Sequence, residues 1–261
     1  MSTERPLAMV TGASSGIGFE IARQFAQNGF DVALSGSSER IFLAAEKLRN
    51  GGAEAFPLQA DAGTYEGIEA FWEFILQLKR PIEACALNVG IAVGGAFTET
   101  SLEDDLRVIA VNVTGTVHMA KHVVRHMVAN GNGRILIVTS VSATSPTPFE
   151  TTYGPSKAFG FPFAESLREE LRGTGVTVTA LLPGATNTDF HANAGMADTP
   201  IGKAMKNDRE LVAKQGFDAL MNDIDHVVGG DDATKQVVIE NRKLPETVKA
   251  ARHAAIARIG R

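Results

Sequence analysis

Short apolar runs alternate with amphipathic stretches along most of the chain. The spacing predicts strands at 7–11, 32–35, 53–59, 82–88, 135–139 and 176–182. It predicts helices at 16–27, 39–48, 65–78, 102–129 and 153–171. The helix at 16–27 sets Ile17, Ile21, Ala22 and Phe25 along one side. A strand–helix rhythm of this kind implies an α/β fold, a doubly wound parallel sheet with helices on both faces. From about Asp189 the rhythm changes to polar helical segments, then a last strand and turn at 225–230. Two helices close the chain, one before and one after Leu244-Pro245. The final one carries Lys249, Arg252, His253 and Arg258 with few large apolar residues, and reads as a solvated or interface element. The expectation is one domain over residues 1–261, with about 189–261 forming a substrate lid and a helical extension.

Composition narrows the function classes. A net charge of -5 with no basic run argues against nucleic acid. The one cysteine, Cys85, excludes an internal disulfide and lies in an apolar run, where a buried, inert thiol is expected. Met1 to Pro6 shows no apolar signal core, and no stretch is long enough to span a bilayer. A soluble, cytoplasmic protein without membrane partners is expected, so the sequon Asn112-Val113-Thr114 has no glycan role. His118, His122 and His126 fall four apart on the long helix, a spacing that can bind zinc. No carboxylate or cysteine accompanies them at ligand spacing, so surface or interface histidines and no metal are expected.

Two stretches carry candidate chemistry. Thr11 to Gly18 follows the first strand and opens a helix. Gly12, Gly16 and Gly18 let the backbone approach a pyrophosphate, and the helix N-terminus favours its charge. The same residues, Gly12-Ala13-Ser14-Ser15-Gly16, also fit the nucleophile elbow of a serine hydrolase, with Ser14 as nucleophile and His191, His226 or His253 downstream. No oxyanion-type glycine cluster precedes it. The second stretch is Tyr153-Gly154-Pro155-Ser156-Lys157. On a helix, Tyr153 and Lys157 share a face. An ammonium roughly 4 Å from a phenol, at an effective dielectric near 20, would lower its pKa by about three units, to where it exchanges protons near pH 7. Ser140 ends an apolar strand, where open α/β sheets bind ligands. Ser140 would hold a carbonyl oxygen and Tyr153 would pass it a proton.

With these motifs in order, the chain resembles a short-chain dehydrogenase/reductase of the single-domain type over about residues 7 to 190. The matching features are the loop Thr11–Gly18, Asp61 after the third strand, Asn88-Val89-Gly90 after the fourth, Asn112, Ser140, Tyr153, Lys157 and Pro183-Gly184. The resemblance implies a catalytic group of Asn112, Ser140, Tyr153 and Lys157. Tyr153 would be the acid in reduction, Lys157 would grip the nicotinamide ribose, and Asn112 would hold a proton-relaying water. It further implies that Ser14, Ser15 and Ile17 of the loop meet the cofactor. Asp61, with Ala62 beside it, would meet the adenine, and Asn88 to Gly90 would line the adenosine side. Thr186 and Thr188 would contact the carboxamide and phosphates. Hydride would pass between the cofactor and a carbonyl or alcohol substrate. A regulator that binds cofactor without turnover is the alternative from another class.

Three departures stand out. Leu87 replaces the first asparagine of the family's Asn-Asn-Ala-Gly, which removes a brace beside the cofactor. Pro162 lies inside the helix that begins at Tyr153 and predicts a kink there. The C-terminal region lacks a tetramer-type match, so a dimer is favoured. Gly36 stands where an NAD enzyme usually carries an acid, while Ser37, Ser38 and Arg40 could donate to a 2′-phosphate, so NADP is favoured, with NAD possible. The first two loops at the strand ends offer Ile91, Val93, Phe97, Val141, Pro146 and Phe149 and no lysine or arginine, which predicts a largely apolar substrate.

Overall fold

The computed structural model describes residues 5–258; residues 1–4 and 259–261 lie outside it. Seven parallel strands form one sheet: β1 (Leu7–Thr11), β2 (Asp31–Gly36), β3 (Ala55–Gln59), β4 (Ile82–Leu87), β5 (Gly133–Val138), β6 (Val176–Pro183) and β7 (His226–Gly229). Their order is β3-β2-β1-β4-β5-β6-β7. The direction of winding reverses between β1 and β4, which opens a crevice at their carboxyl ends. The expected doubly wound sheet is thus present.

The alternation of side chains splits the core into two layers. Ala8 and Val10 of β1 face α1 (Gly16–Gln27), α2 (Arg40–Asn50) and α9 (Arg209–Met221). Leu7 and Met9 face the other side, with α3 (Tyr65–Gln77), α5 (Thr116–Asn130) and α6 (Tyr153–Glu170). On the first side Phe25 is fully buried, edge-on to Phe30 and Phe217 at 5.3 and 5.4 Å. A side chain of that size contributes about 2–3 kcal/mol on burial. Cys85 is buried in the second layer, and burial pushes its thiol up, as an inert group.

The long helix expected at 102–129 is interrupted. It divides into α4 (Leu102–Ile109), a π-helical turn over Ala110–Gly115, and α5. Ser101 starts α4 by accepting from the Asp104 N–H at 3.0 Å. The wide turn carries Asn112 and brings Gly115 so close to the Ala62 carbonyl that a Cβ there would collide with it. α6 continues through Pro162, an exposed position. The tail forms α7 (Phe190–Asn193), α8 (Pro200–Lys203), α10 (Asp232–Asn241) and α11 (Glu246–Ala257). No helix among the described residues is long and apolar enough to cross a membrane.

Candidate active site

A cavity of about 590 Å³ opens at the carboxyl ends of the central strands. One end of its wall is the loop between β1 and α1, with Gly12, Ser15, Gly16, Ile17 and Gly18. Gly12 and Gly16 have φ of +66° and +59°, the left-handed region that favours glycine. Gly18 must also lack a side chain, because a Cβ would run into the Gly12 carbonyl and Asn88 Nδ2. The loop is tied to β4 by Asn88, whose Nδ2 donates to the Thr11 and Gly12 carbonyls at 3.0 and 3.1 Å. Thr11 Oγ1 in turn accepts from the N–H groups of Asn88 and Val89. Leu87, which stands in place of the family's first asparagine, packs in the core.

The chemical group sits in the middle of the wall. Ser140, Tyr153 and Lys157 all line it and are all buried. The Ser140 hydroxyl caps the short turn Val141–Thr144 by accepting from Ser142 N–H at 3.1 Å, and it also hydrogen-bonds the Tyr153 phenol. The Tyr153 ring packs on Phe190 at 5.1 Å between centroids. Lys157 Nζ donates to the Val138 carbonyl at 3.2 Å. It fits there because position 90 is glycine: a Cβ on Gly90 would stand 2.5 Å from that nitrogen.

The electrostatics correct one expectation. The phenol is not lowered. Burial pushes Tyr153 up, the Ser140 hydrogen bond pulls it down by less, and the Glu150 carboxylate pushes it up again. Burial also lowers Lys157, from 10.5 to about 8. A buried ammonium is disfavoured in the same medium that disfavours a buried phenolate, and that desolvation outweighs the attraction argued from spacing.

Asn112 lies behind the wall. Its Oδ1 accepts from Ile91 N–H at 2.9 Å, and its Nδ2 donates to the Ile91 carbonyl at 2.9 Å and to Ser156 Oγ at 2.8 Å. The Ser156 hydroxyl in turn donates a hydrogen bond to the Tyr153 carbonyl at 2.6 Å. The side chain thus joins the β4 loop to the first turn of α6. Its main-chain carbonyl accepts from the Thr116 hydroxyl.

Pro183, Gly184, Thr186 and Thr188 line the cavity on the side of β6. Several other residues expected at the cofactor do not. Asp61 Oδ1 is held by Arg107 at 2.5 Å and by the Gly63 N–H at 2.9 Å, and Ala62 abuts the π turn. Burial raises the Asp61 carboxyl, but those two partners outweigh it and leave it lowered. Ser14 turns its hydroxyl toward Gly36, so closely that a Cβ on Gly36 would collide with it. Ser37 and Arg40 are exposed and Ser38 half-buried; Arg40 reaches Asp189 at 3.4 Å. The hydrolase alternative gains nothing from this placement: His226 pairs with Asp225 and His253 with Glu150, and Ser14 is off the wall.

The cavity wall matches the expected substrate wall only in part. Of the six loop residues proposed for it, only Val141 lines the cavity. Phe97 is exposed, and Phe149 lies under the Arg258 guanidinium at 5.2 Å. The rest of the wall comes from the 189–261 stretch: Phe190, His191 and Ile201 line it, and α10 and α11 add Val237, Asn241, Lys249, Arg252, His253 and Ile256 as a roof. His253 Nε2 meets Glu150 at 3.0 Å, Lys249 meets Glu246 at 2.6 Å and the Thr144 carbonyl at 3.2 Å, and Asn241 donates to Thr144 Oγ1 at 3.1 Å. α11 is thus solvated on its outer side, while its Lys249 and His253 face the cavity. The missed signal was the i, i+4, i+7 stripe Lys249, His253 and Ile256.

A family model described as short chain dehydrogenase matches residues 6–199. The chain belongs to the short-chain dehydrogenase family. It is 35% identical over 192 residues to the Mycobacterium tuberculosis protein described as probable oxidoreductase EphD, a match covering 72% of this chain and 32% of that one. The chain thus spans about a third of that longer relative. It is 33% identical over 190 residues to a 3-oxoacyl-(acyl-carrier-protein) reductase of Synechocystis sp., covering 72% of this chain and 76% of that one. Among solved structures, a short-chain dehydrogenase from Sphingobium yanoikuyae in complex with NADPH is similar at 27% identity and a TM-score of 0.81, over 91% of this chain and 93% of that one.

Proposed function

We propose that this short-chain dehydrogenase is an NADP-dependent oxidoreductase that interconverts a small-molecule carbonyl and its alcohol. The observation that carries the reading is that Ser140, Tyr153 and Lys157 share one cavity with the glycine loop. A bound nicotinamide cofactor would give or take the hydride; the chain supplies placement and the proton. The glycine cradle fits such a group, since side chains at positions 12, 16 and 18 would meet neighbouring atoms. Ser140 holds the substrate oxygen and Tyr153 donates its proton. A phenol kept protonated at neutral pH is the form a reductase needs. Lys157, near neutrality, is a short step from restoring that proton. Asn112 acts as a positioning residue through Ile91 and Ser156.

Three observations favour NADP. Gly36 leaves no room for an acidic side chain beside Ser14. Arg40 is exposed, and its ion pair with Asp189, 58% and 65% exposed, is of the weak surface kind that a phosphate can displace. The Sphingobium relative holds NADPH. The substrate lies with an apolar body against Val141, Phe190, Ile201 and Ile256 and its polar groups toward the roof. An exposed apolar stripe on α4, Leu102, Leu106 and Ile109, supports pairing of two copies.

The test is a carbonyl screen with NADPH, followed by absorbance loss. Tyr153→Phe should abolish turnover and leave the NADPH Kd within a few-fold of wild type. A catalytically silent regulator predicts no turnover in either protein. A Kd for NAD lower than that for NADP would overturn the cofactor assignment.

A further inference from the structure

Helices α3 and α5, in the same layer as α6, carry a cluster that the active site does not use. His118 and His122 lie one turn apart on α5, and α3 brings Glu69 against them. The sequence shows no carboxylate near these histidines, because the partner comes from another crossover. Glu69 Oε1 is 2.5 Å from His118 Nε2 and 2.7 Å from His122 Nε2. One carboxylate oxygen is thus shared by two imidazole nitrogens, and ligand atoms of all three residues lie within 4.8 Å of one another.

We propose that Glu69, His118 and His122 form a binding site for a zinc-class divalent cation that clamps α3 to α5. Two imidazoles and a carboxylate suit zinc, whereas calcium and magnesium prefer oxygen ligands throughout. Zinc bonds of about 2.0–2.1 Å in a tetrahedron place ligand atoms about 3.3 Å apart. The Glu69 carboxylate has only to withdraw by less than about 1 Å, within the reach of its own side-chain rotations. The side chains are 27%, 19% and 24% exposed for Glu69, His118 and His122, so an ion can enter and a water can complete the fourth position.

The surroundings fix the rings. Tyr65 packs on His118 at 4.8 Å, and Trp72 stacks on His122 at 5.1 Å and 15°. This packing limits the rotation of both imidazole rings. His126, one turn further on, is not a ligand: its Nε2 accepts from the Ile82 N–H at 3.2 Å. None of the three ligands touches the catalytic cavity, so the ion would act on the helix pair rather than on the reacting atoms.

Trp72 is the chain's one tryptophan and stacks on a proposed ligand, which gives a direct readout. The metal-free protein is titrated with zinc chloride, following tryptophan fluorescence and calorimetric heat. The expected result is one saturable site per chain with a fluorescence change, a raised Tm, and no response to magnesium or calcium. Glu69→Gln and the pair His118→Ala/His122→Ala, shown folded by circular dichroism, should weaken zinc by about tenfold or more. His226→Ala, which alters a second cluster of Glu165, Asp225 and His226, should leave binding unchanged. No saturable binding up to millimolar zinc overturns the proposal, as does binding that survives the paired histidine substitution or is lost in His226→Ala. Should the ligand variants fail to fold, cobalt(II) added to the wild type decides: absence of the visible bands of a tetrahedral ion refutes the site.

Discussion

Replacing Lys157 by methionine should make this protein more stable at neutral pH while it destroys turnover. Lys157 is buried, with its ammonium donating to the Val138 carbonyl. Burial lowers it from 10.5 to about 8. At about 1.36 kcal/mol per pH unit, the folded chain carries roughly 3 kcal/mol against itself below pH 8 to keep that charge. Methionine fills a similar volume without charge and forgoes one hydrogen bond of about 1 kcal/mol. The net gain at pH 7 is about 2 kcal/mol, or a Tm higher by about 4–8 °C for a chain of this size. The pH dependence has a fixed sign. Between pH 8 and 10.5 the unfolded chain binds more protons at this residue than the folded one, so wild-type stability rises with pH relative to the variant. Urea denaturation of both proteins from pH 7 to 10.5 reads the difference. A variant that is no more stable at pH 7, or a gap that does not close by pH 10.5, would refute the argument.

Asn88→Ala removes two hydrogen bonds that hold the glycine loop and should lose about 2 kcal/mol of stability, together with cofactor affinity; denaturation and a cofactor titration check both. Glu150→Gln removes a charge that raises the Tyr153 phenol, so the ultraviolet titration of that tyrosine should move to lower pH. Gly18→Ala should abolish cofactor binding in a protein that still folds around its sheet, because the added Cβ meets the Gly12 carbonyl and Asn88 within the loop; equilibrium dialysis against NADPH reads this.

The sheet was readable because its strands are buried on both faces and therefore appear as unbroken apolar runs such as Ile135 to Val138. The loop Gly12–Gly18 and the Tyr153–Lys157 pair were readable because each lies within a few residues of sequence, where helix and turn geometry is local. What escaped depends on contacts between distant segments. Nothing around His118 reveals Glu69, which is 49 positions earlier. Nothing local to Tyr153 reveals that its ring is buried under Phe190, and that burial reverses the direction argued from Lys157. The π turn at Asn112 depends on the Ala62 carbonyl approaching Gly115. The buried face of α11 escapes a hydrophobic pattern because it carries Lys249 and His253 in place of leucines; Lys249 pairs with Glu246, and His253 Nε2 meets Glu150.

The roof of the cavity comes from residues 237 to 256, beyond the 6–199 segment that the family model matches. On the proposed function, the proton-handling group lies wholly within the matched segment, while part of the surface that would choose the substrate lies beyond it. Exchanging the terminal helix pair between such enzymes offers a route to new selectivity that leaves the chemical step where it stands.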